Sequence, residues 1–167
     1  VVVFETLFQG ETEIVGHEDI EDEGQTVNFV EEPKIGTTAT VDGQHTAEPT
    51  GEITIVDVVA YSGLTPGETY KMSGVLMDKA TGEPLLVGED QAQVTAEVEF
   101  TPESSDGTVE LTYTLDASSL AGTSIVVFET LYSDGVEIAA HADINDENQT
   151  VEITEPEKPT LGTTATV

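Results

Sequence analysis

Glutamate, histidine and glutamine recur as a set in this 167-residue chain, twice and at the same spacing. Glu5, His17 and Gln25 form the first set, and Glu129, His141 and Gln149 the second. Glutamate to histidine is 12 positions and histidine to glutamine 8 in both, and each glutamate closes the string Val-Val-Phe-Glu. A second string, Ile35-Gly36-Thr37-Thr38-Ala39-Thr40-Val41, returns as Leu161-Gly162-Thr163-Thr164-Ala165-Thr166-Val167. Threonine supplies a hydroxyl nucleophile, histidine a base, and carboxyl groups hold and polarise a partner. Two chemistries are open to such a set. A hydrolase acting on an added substrate needs an open pocket, and no glycine-rich nucleophile turn accompanies these residues. The alternative is internal. The carboxamide of Gln149 is the one electrophile of the set, and attack by a threonine hydroxyl held beside it would expel ammonia and leave an ester.

Those side chains must be positioned by strands. Period-two alternation dominates, and no long helical period is present. Candidate strands are 35–41, 52–60, 69–77, 84–87, 92–100, 107–115, 124–132, 136–142 and 149–154, separated by turn signals such as Asp42-Gly43, Thr81-Gly82 and Asp134-Gly135. Many short strands at this spacing predict an all-β antiparallel sandwich or barrel. Residues i and i+2 of a strand share a face. Thr37 therefore lies with Ile35, Ala39 and Val41, whereas Thr38 lies with Gly36 and Thr40. Asp57 lies with Ile53, Ile55 and Val59, Glu129 with Ile125, Val127 and Leu131, and Gln149 with Val151 and Ile153. Four polar side chains thus point where the apolar ones point, while alternation leaves the face of His141 ambiguous. A buried carboxylate must be neutralised, paired or hydrogen-bonded. Burial raises the pKa of a carboxyl group, and a second carboxyl nearby raises one of the two further, so one acid of the pair can hold a proton at neutral pH. Each of these residues alone is unremarkable in a strand protein; the recurrence of the set is what raises the functional reading.

Repetition also sets the domain organisation. Glu5 to Glu129 is 124 positions and Thr37 to Thr163 is 126, a domain-sized period. Residues 1–31 read as the C-terminal part of a preceding repeat, 33–155 as a complete domain and 157–167 as the first strand of the next. A cut from a longer tandem array is expected. The proline-bearing linkers Glu31-Glu32-Pro33-Lys34 and Glu155-Pro156-Glu157-Lys158-Pro159 predict a semi-rigid rod. Four basic against 34 acidic residues give a net charge of −30, which argues against nucleic acid and anionic membrane as partners. Hydrophobic residues make up 37% of the chain, in alternating runs, which favours a folded core over an acidic disordered chain. There is no cysteine, so disulfides and thiol chemistry are excluded. No apolar run reaches transmembrane length.

The strings Ile35–Thr40, Asp57-Val58-Val59-Ala60-Tyr61-Ser62-Gly63-Leu64, Val126-Val127-Phe128-Glu129 and His141–Thr150 resemble the VaFE-type Thr–Gln ester-bond domains, tandem Ig-like stalk repeats of Gram-positive surface adhesins. The resemblance implies that Thr37 is the nucleophile and Gln149 the acyl donor, joined with loss of ammonia. It implies that His141 assists proton transfer from Thr37, and that Asp57 and Glu129, at least one protonated, polarise and orient the Gln149 carbonyl. The implied reaction is a single self-crosslinking turnover without cofactor or metal, and not enzymatic turnover. Glu5, His17 and Gln25, together with Thr163, would be partial sites of neighbouring repeats, uncrosslinked within this chain. The implied location is extracellular, on a cell-wall-anchored surface protein. Its partners would be neighbouring repeats, with any host ligand bound by another domain.

Two alternatives stay open. A Lys–Asn isopeptide bond would have to use Lys34, Lys71, Lys79 or Lys158. Lys34 and Lys158 fall in the linkers and Lys79 precedes a turn, which leaves Lys71, on the face opposite Met72. A ligand-binding module could use the Asp143–Asn148 loop, which weakly resembles a calcium loop but lacks its glycine and terminal glutamate.

Overall fold

The computed structural model describes residues 1–27, 31–156 and Gly162. They divide into two compact units between Glu32 and Pro33. The first holds β1 (Glu5–Gln9) and β2 (Thr12–His17), an antiparallel hairpin turned at Gly10, followed by a 3₁₀ turn over Glu23–Gln25. Phe4, Leu7, Phe8, Ile14 and Val15 are all exposed, and none of the described residues of this unit forms a buried apolar core.

The second unit contains β3 (Lys34–Thr40), β4 (Thr46–Ala47), β5 (Glu52–Ser62), β6 (Tyr70–Asp78), β7 (Glu83–Pro84), β8 (Leu86–Val87), β9 (Ala92–Gln93), β10 (Thr95–Phe100), β11 (Gly107–Asp116), β12 (Ser124–Ser133), β13 (Val136–His141) and β14 (Thr150–Ile153). Three strands form one sheet, in the order β11-β5-β3, all antiparallel. Seven form the other, in the order β10-β6-β12-β14-β4, with β13 on β12 and β7 on β6. The pairing of β14 with β4 is parallel and the rest of that sheet is antiparallel. Ala39, Ile55, Val59, Leu111 and Tyr113 from the small sheet pack against Met72, Leu76, Ile125, Val127 and Leu131 from the large one. The chain is therefore an all-β protein whose second unit is a β-sandwich, with no α-helix among the described residues.

Alternation drives this arrangement. In β5 the buried residues are Ile55, Asp57, Val59 and Tyr61, and in β11 Leu111, Tyr113 and Leu115, each at period two. The β12–β13 hairpin turns at Asp134-Gly135, both at positive φ (49° and 77°), the two-residue geometry whose twist matches the strands. Several elements differ from the sequence reading. The expected strand 84–87 is two short pieces on different partners. Pro84 has no N–H to continue the ladder, and Leu85 turns into the core with its N–H on the Leu76 carbonyl at 2.8 Å. The expected strand 92–100 breaks at Val94. Thr46–Ala47, too short to alternate, was not expected. Lys34 begins β3 and is not linker. The expected first strand at 157–167 falls outside the described residues.

Leu131, fully buried in β12, tests the core. Leu131→Ala should cost about 2–5 kcal/mol, read from the urea midpoint in a Thr37→Ala background where the expected ester cannot form.

Candidate functional site

The four inward polar side chains are all buried: Thr37 (8% exposed), Asp57 (0%), Glu129 (1%) and Gln149 (0%). Thr38 is exposed, so of the two threonines only Thr37 faces the core. Asp57 stands opposite Ala39 in the β3–β5 register, one inward position from Thr37, and the Thr37 hydroxyl donates to Asp57 Oδ1. Glu129 stands in β12 between Gly74 of β6 and His141 of β13. Gln149 immediately precedes β14. Its carbonyl accepts from Val127 N (3.1 Å), and the Asn148 carbonyl accepts from Ala39 N (2.9 Å). The backbone at Gln149 is thereby tied to β12 on one side and to the strand of Thr37 on the other. Its side-chain Nε2 donates to Glu129 Oε2 at 2.5 Å.

Asp57 comes from the small sheet and Glu129 from the large one, and the two carboxyl groups are hydrogen-bonded across the core. Burial first, then this bond and the Asp57 charge, push the Glu129 carboxyl up to about 11. Glu129 is therefore neutral at pH 7 and holds the proton between the acids, a point the sequence leaves open. That proton accounts for Asp57 Oδ2 and Glu129 Oε1, which have no other partner. Gln149 Oε1 and the Tyr113 hydroxyl are also buried without a partner.

His141 is half-buried at the end of β13, and its Nε2 is paired with Asp146 Oδ2 at 2.9 Å. The acceptor of the Thr37 hydroxyl is Asp57, not His141. Asp146 is in turn fixed by Asn148 N on Oδ1 (2.8 Å) and by the Thr150 hydroxyl on its carbonyl (2.7 Å). The first unit repeats this bond for bond. His17 Nε2 pairs with Asp22 Oδ2 (2.9 Å), Gly24 N donates to Asp22 Oδ1 (2.7 Å), and the Thr26 hydroxyl donates to the Asp22 carbonyl (2.8 Å). Glu5 is cross-strand to His17, and Gln25 lies in the 3₁₀ turn. Thr163 lies outside the described residues.

Two residues of the site were missed in the sequence. Asp146 carried a readable signal, because histidine is followed five positions later by aspartate in both copies (17 and 22, 141 and 146). Tyr113 shares the inward face of Leu111 and Leu115, yet one aromatic at a core position gives no hint of its hydroxyl. None of the three described lysines joins the cluster. Lys34 is exposed, Lys71 Nζ pairs with Glu97 (3.2 Å), and Lys79 Nζ donates to the Thr150 hydroxyl (3.2 Å). In the Asp143–Asn148 loop, Asp143 and Asp146 each cap a backbone N–H two residues on, an ordinary turn use of aspartate.

A buried hydroxyl on one buried carboxyl group thus stands beside a buried carboxamide on a second, neutral one. The family described as T-Q ester bond containing domain matches residues 1–29 and 33–153. Among solved structures, the chain is similar to a bacterial adhesin from Mobiluncus mulieris that contains intramolecular disulfide, isopeptide and ester bond crosslinks, seen in two crystal forms. The identity is 19% in both, with TM-scores of 0.64 and 0.65, a likeness of fold. It covers 75% of this chain and spans 58% of the adhesin chain. No curated protein matches. With the family matched over most of its length, the chain belongs to the T-Q ester bond containing domain family.

Proposed function

We propose that residues 33–155 form a self-crosslinking stalk domain, closed by an ester between Thr37 Oγ1 and Gln149 Cδ. The observation that carries this reading is the buried chain Thr37–Asp57–Glu129–Gln149, which connects nucleophile to leaving nitrogen through two acids, of which Glu129 holds a proton. Asp57 takes the hydroxyl proton as Thr37 Oγ1 attacks the Gln149 amide carbon. Glu129 then turns its proton from Asp57 to the departing nitrogen, which lies 2.5 Å from the other oxygen of the same carboxyl group. The Asp57–Glu129 hydrogen bond then restores the original protonation of the pair. One C–O bond forms, one C–N bond breaks, and the threonine proton leaves in ammonia. His141, held by Asp146 and cross-strand to Glu129, serves as a second base. No cofactor enters, and each domain reacts once.

The ester would close a loop of 112 positions, from 37 to 149. A disulfide across a loop of about 100 residues is worth about 4.7 kcal/mol on the chain-entropy model, and an ester acts alike on the unfolded chain. The mechanical consequence is larger. Force along the chain enters at β3 and leaves at β14, which lie in different sheets. A covalent bond between them carries load past the fold, so resistance becomes kinetic. Such a domain suits an Ig-like repeat in a tandem stalk, on an extracellular, cell-wall-anchored adhesin of a Gram-positive bacterium, with neighbouring repeats as its partners. The first unit, with Glu5, His17 and Gln25, is read as the end of one such neighbour, and Thr163 as the nucleophile of another.

Intact mass tests the bond. The purified chain should be lighter than its sequence by one ammonia, and alkaline hydroxylamine should cleave the crosslink, freeing the Thr37 hydroxyl and leaving a hydroxamate at position 149. Thr37→Ala and Gln149→Ala should restore the full mass, and Asp57→Asn or Glu129→Gln should slow the loss by about 10²–10⁴-fold. Full mass in folded parent protein would contradict the reading.

The acid pair also predicts a pH dependence. Glu129 titrates near its ordinary 4.5 when unfolded and near 11 in the fold. The stability contributed by its neutral form is fully present below about pH 4.5 and is lost as pH rises towards 11. In a Thr37→Ala chain, unfolding free energy should fall across this window by about 1.4 kcal/mol per pH unit more than in the same chain with Glu129→Gln. Urea titrations at several pH values measure the difference.

A further inference from the structure

Acyl transfer needs a hydrogen-bond donor for the carbonyl oxygen, because that oxygen gains charge as the tetrahedral intermediate forms. Resting on the crosslink reading above, the other protons of the cluster are already committed. The Thr37 hydroxyl is on Asp57, the Gln149 amide on Glu129, the Glu129 proton on Asp57, and His141 Nε2 is paired with Asp146. One buried acceptor and one buried donor remain: Gln149 Oε1 and the Tyr113 hydroxyl.

Tyr113 projects from the small sheet across the sandwich and is 1% exposed. Its hydroxyl occupies the space that a Cβ on Gly74 would fill. Gly74 is directly opposite Glu129 in the β6–β12 register. Inward Cβ positions of such a pair are about 4.5–5.5 Å apart. The phenol thus ends beside the carboxyl group that holds the Gln149 amide. The absence of a side chain at position 74 is what lets it reach there. Burial first, and then the carboxyl groups of Glu129 and Asp57 beside it, raise the phenol pKa, so it stays protonated and available as a donor.

We propose that the Tyr113 hydroxyl is the oxyanion donor of the ester-forming reaction, hydrogen-bonding to Gln149 Oε1 as the Thr37 oxygen adds to the amide carbon. The bond tightens in the transition state, as catalytic hydrogen bonds that are unmade in the resting state commonly do.

Tyr113→Phe removes the hydroxyl and keeps the ring. Crosslinking is followed by intact mass after pulse synthesis of the full chain, beside the parent and at several pH values. The expected result is a folded protein that loses its ammonia about 10²–10³-fold more slowly, with a pH–rate profile of unchanged shape. A residue acting only through the acid pair would shift that profile, and a shift overturns the oxyanion role. Urea midpoints of Thr37→Ala with and without Tyr113→Phe should agree, which separates lost chemistry from lost folding; a midpoint that falls with the rate assigns Tyr113 a packing role instead. A variant that crosslinks at the parental rate overturns this inference alone, whereas a parent that never loses ammonia overturns the crosslink reading as well.

Discussion

Two carboxyl groups shut away from water with one proton between them are the constraint on which the second unit depends. An isolated buried carboxylate costs many kcal/mol, and a buried pair left doubly charged would push the sheets apart. Asp57 and Glu129 avoid both outcomes by sharing a proton across the core, and Thr37 and Gln149 supply the remaining hydrogen bonds. The polar cluster is thus satisfied mostly from within. It is also chemically unequal, because burial and the Asp57 charge raise the Glu129 carboxyl and make it the one that keeps a proton.

Placement follows from sheet geometry. Thr37 and Asp57 belong to the small sheet, and Glu129 to the large one with Gln149 at the start of β14. Every hydrogen bond between the pairs therefore also holds sheet to sheet. The Ala39–Asn148 backbone bond fixes the height at which the two meet. Proximity of this kind substitutes for the strong activation that an amide otherwise needs before a hydroxyl can displace its nitrogen. The surrounding apolar residues shield the product ester from hydrolysis in the proposed function.

Much of this was readable in the sequence because β-strand alternation is a two-state signal. It separates Thr37 from Thr38 and turns Asp57, Glu129 and Gln149 inward without knowledge of the fold. It fails where strands end or break. His141 terminates β13, and its orientation depends on Asp146, in a loop without periodicity. Pro84 and Val94 interrupt runs that look continuous, because the interruption lies in backbone hydrogen bonding and not in hydropathy. The proton on Glu129 was not legible, because it depends on how deeply two acids from distant strands are buried together. Tyr113 was not legible as a donor, since only its approach to Gly74, a residue 39 positions earlier, puts its hydroxyl at the acid pair.

In the proposed function this buried pair joins one particular threonine to one particular glutamine. Peptide mapping of the purified chain under acidic conditions tests it most directly. The fragments bearing Thr37 and Gln149 should be recovered as one branched species, lighter by one ammonia than their sum and fragmenting at those two residues. Recovery of the two fragments separately at full mass, or a branch point at Thr38 or at a lysine, would contradict it.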